Sequence, residues 1–335
     1  MRFATWSGHD RPNLEDIGEE GLLRRLVDMT SAVTGVVIPA GDDAAAWVPG
    51  SPVALISTDA MVEGVHFRQE YQSPYQVGAK AWAQAASDIA AMGGALEVGV
   101  VAAMMPGTTP WKVAEAIQLG VLEAARGDGA ALVGGDICAG PQIVLVVTVA
   151  GSARGQAPVQ MKGGTPGDQL VVTGHLGGAA MALRMLDRAD VKIPVDCLQA
   201  LRVPRARLAE GARLGSEGAS AMTDISDGLL LDCKRLTRAS RVGAELWADR
   251  VPLAAGLVSK MGAESVRIGL AGGEDYELLA AIPAPDFERV VAAWPEDLAP
   301  LAHVGSLVSG AGVRLLAGVG GPELSVEGWS GYQHY

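Results

Sequence analysis

Strand-sized apolar runs separated by helix-length segments constrain this chain more than any other feature. Val98 to Met105 and Ile143 to Ala150 are apolar stretches far too short to span a membrane and right for buried strands. Val53 to Ser57 and Ala130 to Val133 are shorter strands of the same kind. Between them the spacing predicts helices. Glu19 to Val33 carries an apolar stripe of Leu22, Leu23, Leu26 and Val27. Pro74 to Met92 is closed by Gly93-Gly94, and Pro110 to Arg126 opens on a proline. Alternation of strands and helices describes an α/β layer.

Gly151 to Asp168 breaks that rhythm with five glycines and two prolines, and reads as a linker. We place a boundary there, giving domains 1–155 and 156–335. Beyond it a strand at Gln169–Thr173 begins a second set. Helices fit at Gly177–Asp187, Asp196–Gly215 and Ser226–Ser240, and strands at Ala244–Trp247, Glu277–Ile282 and Leu301–Ser306. The net charge of -12 argues against non-specific binding to nucleic acid or an anionic membrane. Cys138, Cys197 and Cys233 lie far apart, without metal or redox spacing. With an N-terminus that lacks the apolar centre of a signal peptide, they point to a reduced, cytoplasmic setting.

Acids recur where apolar runs end. "GDD" gives Asp42 and Asp43, "VALISTDA" gives Asp59, and "ALVGGD" gives Asp136. "SAMTDISDG" gives Asp224 and Asp227, and "GLAGGEDYELL" gives Glu274 and Asp275. These read as five acid-bearing turns, at the strand ends where α/β proteins bind ligands. Carboxylates that converge there repel one another and call for a hard divalent cation. Oxygen donors without His or Cys neighbours favour Mg²⁺, Ca²⁺ or Mn²⁺ over zinc. Ordinary turn chemistry explains the same residues equally well. If "GDD" enters a strand, Asp42 and Asp43 face opposite ways. On the Pro74–Met92 helix, Lys80, Gln84, Ser87 and Asp88 share the face opposite Trp82, Ala85, Ile89 and Met92, so periodicity makes Asp88 a solvated surface acid. Ser226 reads as an N-cap and Asp227 as a first-turn acid. His66 and Tyr332 carry no local signature. There is no Walker loop, no G-x-G-x-x-G after a strand and no G-x-S-x-G.

In this order, "GDDAA", "STDAMVEGVHF", "KAWAQAASDIAAMGG", "VGGD", "DISDGLLLD", "GGEDYELL" and "GYQHY" closely resemble the thiamine-monophosphate kinases, within the superfamily of aminoimidazole ribonucleotide synthetase. The resemblance spans nearly the whole chain. It implies an α+β protein of two α/β-layered domains. The N-terminal sheet would pair across a homodimer into a barrel, with the active site in the interdomain cleft. It implies Mg-assisted, in-line transfer of the γ-phosphoryl of ATP to thiamine monophosphate, with several Mg²⁺ ions and no phosphoenzyme. Asp43, Thr58, Asp59, Asp88, Asp136, Asp224 and Asp227 would bind metal, with Asp42 more structural. Gly135, Asp136 and Ser226 would contact ATP, and His66, Glu274 and Tyr332 the thiamine substrate. An aromatic ring suits a flat heterocycle, and a carboxylate suits a cationic or amino-bearing one.

Two departures stand out. Where the family usually has an Arg before "PGD", "VQMKGGTPGD" offers Met161, with Lys162 beside it as the ATP-side cation and Arg154 as another substitute. Lys supplies charge but no bidentate fork. "GGDIC" replaces "GGDTT" and brings in Cys138, read as a small buried filler rather than a nucleophile. A different ATP-using enzyme of the superfamily and a non-catalytic nucleotide sensor are the alternatives to the kinase.

Overall fold

The computed structural model describes residues 12–30, 35–41, 43–188 and 192–329. The chain divides into two compact units. One holds residues 1–89 and 95–155, the other 90–94 and 156–335.

The first unit runs α1 (Leu14–Ile17), α2 (Glu19–Asp28), β1 (Val36–Ile38), β2 (Ala46–Trp47), β3 (Ala54–Val62), α3 (Pro74–Ala91), β4 (Ala95–Met105), α4 (Trp111–Gly127), β5 (Ala131–Ala139) and β6 (Val144–Ser152). The last residues of α3 belong to the other unit. β3 to β6 form one sheet in the order β3-β6-β4-β5, parallel only between β4 and β5. Strand alternation divides the faces. On β6, Leu145, Val147 and Val149 are buried, while Val144, Val146 and Thr148 are half-buried. The buried side includes Leu55, Met61, Val101 and Met105, and the cores of α3 and α4 are likewise closed by Trp82, Ala85, Ile117 and Val121. The opposite side keeps Ile56 76% exposed, and Ala60, Ala102 and Met104 stay at least partly open. A Cβ on Gly78 would strike the Ile117 carbonyl, and one on Gly120 the Tyr75 carbonyl, so α3 and α4 cross in backbone contact.

The second unit runs β7 (Gln169–Thr173), α5 (Gly178–Asp187), α6 (Val195–Arg202), α7 (Leu208–Ser216), β8 (Ala221–Ile225), α8 (Leu229–Ser240), β9 (Gly243–Trp247), α9 (Ala255–Met261), α10 (Ser265–Ala271), β10 (Glu277–Ile282), α11 (Ala284–Ala292), β11 (Leu301–Val308), β12 (Gly312–Leu316) and β13 (Glu323–Leu324). Its strands form one sheet in the order β13-β12-β9-β11-β7-β10-β8, antiparallel except between β9 and β12. Leu170, Val172, Leu279, Ala281 and Val304 pack one face against Leu229, Cys233 and Leu236 of α8. Val171, Leu278 and Ala280 pack the other against Leu214, Val290, and Ala90 and Ala91 from the end of α3.

Several expectations change. Asp59, Asp136 and Asp224 are not in turns: they lie inside β3, β5 and β8. Each of these is the edge strand of its sheet. An edge offers one unpaired side where a polar side chain is not enclosed by a neighbour, so strands there continue through acids that would disrupt a central strand. The helix expected over Asp196–Gly215 is two helices. Pro204 lacks the N–H and crowds the preceding turn, which ends α6 at Arg202. The polar face of α3 is not solvated. Lys80 and Ser87 are fully buried, and only Asp88 is exposed. Ser226 is not a helix N-cap either. Gly228 occupies that position without a side-chain bond. Cys138, expected to be a buried filler, is exposed near the end of the edge strand β5, where no neighbouring strand covers one side.

Candidate functional site

In the first unit, Ser57, Thr58 and Asp59 follow one another along β3 and so alternate between faces. Thr58 lies on the open face, its Oγ1 2.8 Å from that of its cross-strand partner Thr148. Ser57 and Asp59 share the helix-covered side. The Ser57 hydroxyl donates to Asp88 Oδ2 of α3, and the backbone N–H of Ala60 donates to Asp59 Oδ1 at 2.9 Å. Asp88 is therefore turned toward β3, and the structure brings Asp59 and Asp88 to one side of the sheet with Ser57 between them. The Thr58 hydroxyl does not join them.

Asp43 and Asp136 lie elsewhere. Both line a cavity of about 870 Å³ together with the Gly134 and Gly135 backbone of β5, Arg24 of α2 and Gln118 of α4. Gly135 has a reason to be glycine that involves no ligand, because a Cβ there would strike the Val101 carbonyl of β4. His66 sits in the turn after β3. Its Nδ1 accepts the Val62 N–H at 3.0 Å, so the proton of the neutral ring is on Nε2. Beneath the turn the buried Lys80 ammonium donates to the His66 carbonyl at 3.3 Å.

In the second unit two turns interlock. The turn after β8 carries Ser226 and Asp227, and the segment before β10 carries Glu274 and Asp275. The Glu274 N–H donates to the Ser226 carbonyl at 2.7 Å, and the Tyr276 N–H to the Ile225 carbonyl at 2.9 Å. The approach depends on glycines. A Cβ on Gly273 would stand 2.5 Å from the Ser226 carbonyl oxygen, and one on Gly228 2.5 Å from that of Gly272. Asp232 of α8 braces the first turn. Its Oδ2 accepts the Ser226 N–H at 3.2 Å and the Asp227 N–H at 3.0 Å, and its Oδ1 accepts Arg235 Nη1 at 2.7 Å. Arg235 Nη2 also pairs with Asp227 Oδ2 at 2.7 Å. Burial pushes the Asp232 carboxyl up to about 6, against the pull of Arg235. Deeper in the unit, Arg207 holds Glu277 with two bonds of 2.7 and 2.6 Å, and Thr173 donates to the same carboxylate at 2.7 Å. Asp224 lies half-buried on β8 opposite Leu278.

Lys162 and Met161 are exposed in a loop anchored by Ser240, which accepts the Gly164 N–H and donates to the Met161 carbonyl, both at 3.2 Å. Tyr332 lies outside the described residues. Sequence reasoning passed over Asp232, Arg235 and Lys80 as contributors to the site, and named Asp275 only as one of the turn acids. Asp232 had a legible signal: it occupies the stripe of Leu229, Cys233 and Leu236, where an acid is out of place unless buried for a purpose.

Among the described residues no three His, Cys, Asp or Glu side chains converge tightly enough to hold a metal by themselves. Such a dispersed set is compatible with Mg²⁺, which takes one or two carboxylates and fills its shell with water and phosphate oxygens. The donors around Asp43 and Asp136, and around Asp59 and Asp88, are oxygens, the hard set Mg²⁺ prefers.

Residues 41–153 match the family model of the AIR synthase related protein N-terminal domain, and residues 165–317 that of its C-terminal domain. The chain is 36% identical over 281 residues to the thiamine-monophosphate kinase of Mycobacterium tuberculosis, covering 82% of this chain and 84% of that one. It is similar to the crystal structure of thiamine-monophosphate kinase from Stenotrophomonas maltophilia, with a TM-score of 0.78 and 30% identity over 88% of this chain and 94% of that one. It is also similar to the structure of AaThiL complexed with AMPPCP and TMP, with a TM-score of 0.73 and 27% identity over 98% of this chain and all of that one.

Proposed function

The chain belongs to the thiamine-monophosphate kinases of the AIR synthase related family, and from that premise we propose that it transfers the γ-phosphoryl of ATP to thiamine monophosphate, giving thiamine diphosphate and ADP. The observation that carries this reading is the 2.7 Å bond from the Glu274 N–H to the Ser226 carbonyl. It joins a residue proposed for the thiamine substrate to one proposed for the nucleotide, as a reaction between two bound molecules needs.

In this reading Asp43, Thr58, Asp59, Asp88, Asp136, Asp224 and Asp227 hold Mg²⁺. Thr58 would contribute an oxygen, its hydroxyl lying 2.8 Å from that of Thr148. Bound there, Mg²⁺ supplies neutralising charge between two phosphorylated molecules and polarises the transferred group. Gly135, Asp136, Ser226 and the exposed Lys162 orient the nucleotide, and Arg24 brings a positive charge to the cavity lined by Asp43 and Asp136. His66 presents Nε2–H as a donor to the acceptor, and Glu274 and Tyr332 hold its thiamine end.

An oxygen of the acceptor monophosphate attacks the γ-phosphorus as the bond to the ADP oxygen breaks, in line. The attacking oxygen is already anionic, so no side chain has to remove a proton, and no phosphoenzyme forms. The half-buried apolar side of the N-terminal sheet, with Ile56, Ala102, Met104 and Val146, supports a homodimer in which two such sheets close into a barrel. No helix among the described residues is long and apolar enough to cross a membrane, and we assign the reaction to the cytoplasm.

Incubation with ATP, Mg²⁺ and thiamine monophosphate, followed by chromatography, tests the reading. Thiamine diphosphate and ADP in equal amounts, abolished by a chelator, are expected. ADP formation without the diphosphate overturns it.

A further inference from the structure

Asp275 has a side chain that no role above uses, in a backbone that nothing local stabilises. Its neighbours Glu274 and Tyr276 have φ of 66° and 51°, the left-handed region that residues with a Cβ avoid. Two such residues around one position are held only where the surroundings over-determine them. Backbone bonds to Ser226 and Ile225 fix the amides on either side. Between them the Asp275 side chain reaches to the start of α5, where Oδ1 accepts the Gly177 N–H at 2.9 Å.

That anchor is rigid. Gly177 itself has φ 81°, and a Cβ there would stand 2.8 Å from the Gly269 backbone, so this end of α5 is wedged against α10. The other carboxyl oxygen, Oδ2, is buried without a hydrogen-bond partner. Burial, ahead of the opposing pull of the Gly177 N–H and with Glu277, Glu274 and Asp232 adding to it, pushes the Asp275 carboxyl well above the ordinary range. With one oxygen unpartnered, the contact that the side chain does make is its reach to the start of α5.

We propose that Asp275 is a positioning residue for Glu274: by pinning the segment Gly272–Tyr276 to the first turn of α5, it holds the left-handed conformation that presents Glu274 to the thiamine end of the acceptor. The inference rests on the proposed role of Glu274. The nucleotide side is braced separately, because Asp232 rather than Asp275 holds the Ser226 and Asp227 amides. Loss of Asp275 therefore acts mainly on the acceptor side, because the Ser226 turn, though bonded to Glu274, keeps its own brace in Asp232. A change that merely loosened the fold would raise both KM values together.

Steady-state kinetics on the full chain with Asp275→Ala and Asp275→Asn test this. Asp275→Ala is expected to raise KM for thiamine monophosphate at least tenfold while KM for ATP stays within about twofold. Asp275→Asn keeps a neutral acceptor for the Gly177 N–H and is expected to restore KM to within about threefold of the parent. Equal rises in both KM values, or no rescue by Asn, overturn the proposal. If the parent protein does not phosphorylate thiamine monophosphate, the functional reading fails. The positioning claim is then judged by the crystal structure of Asp275→Ala, in which residues 274 and 276 relax to negative φ if the claim holds. Retention of both positive φ values refutes it.

Discussion

The two units hold their candidate residues in different ways. In the first, the acids are spread over an edge strand, a helix, a second edge strand and a loop, and the side-chain bonds from Ser57 to Asp88 and from Thr58 to Thr148 are exposed. In the second, the candidates ride on two turns clasped by backbone bonds and braced from below by Asp232. An exposed bond between side chains contributes little to stability, whereas a buried carboxylate that satisfies two amides and a guanidinium cannot be removed cheaply. If the proposed roles hold, the first arrangement would adjust to a metal and a nucleotide as they arrive, and the second would be set before either binds.

The comparison breaks most sharply at Asp59 and Asp88. If the first unit's acids serve the metal rather than the fold, Asp59→Asn and Asp88→Asn each lower kcat by about a thousandfold or more, with thermal midpoints within a degree or two of the parent. Turnover assays alongside thermal melts decide it. Full turnover in Asp88→Asn removes that residue from the site, and a large fall in midpoint returns it to a structural role.

Asp88 also shows how far the sequence reads. Helical periodicity finds α3 and the burial of Trp82 and Ile89, yet it assigns Lys80 and Ser87 to solvent, and both are fully buried. Periodicity measures which residues are apolar, and it is blind to a second surface that covers the polar side. The alternation of the first unit is legible because its strands are apolar runs of the expected length. The far end of the second is less so, since β12 and β13 are short and mixed, with Arg314 and Glu323 in them. The ends of β3 and β5 that carry Asp59 and Asp136, and the whole of β8 with Asp224, are misread as turns. Gly and Asp are turn residues locally, and only sheet order makes them edge residues. The interlock of the Ser226 and Glu274 turns joins segments some 50 residues apart, and no local rule reaches that far.

A paired substitution sharpens the contrast between the units. Asp232→Ala strands the Ser226 and Asp227 amides and frees Arg235. With Arg235 nearly half-exposed and able to recover solvent, the loss is about 2 kcal/mol rather than the larger value of a wholly buried pair. Ser57→Ala removes one exposed bond and costs less than about 1 kcal/mol. Denaturant titrations of both variants compare them directly. If Ser57→Ala proves the more damaging, the first unit's site is the braced one and the distinction is reversed.

The smallest effect separates the brace from the rest of the second unit's sheet. His303 of β11 packs against Trp247 and Phe287 at ring-centroid distances of 4.8 and 4.4 Å, and its Nε2 is 3.1 Å from the Gly305 carbonyl. Burial, with Arg250 nearby, holds its ring below the ordinary histidine value of 6.5 despite the opposing Gly305 carbonyl and Glu288. In the unfolded chain the ring takes up a proton at about that ordinary value, while in the folded chain it resists. The unfolded state therefore binds more protons in the window that opens at 6.5 and extends downward, and stability is lost as pH falls through it. His303→Gln lacks the group, so its stability should change less across the same window even if its absolute level is lower for loss of ring packing. Kinase activity should follow the parent, because His303 touches neither interlocked turn. Thermal midpoints of both proteins measured on either side of pH 6.5 give the slopes. Equal slopes would mean that the pH response of this unit comes from elsewhere, with the carboxylates under the site as the next place to look.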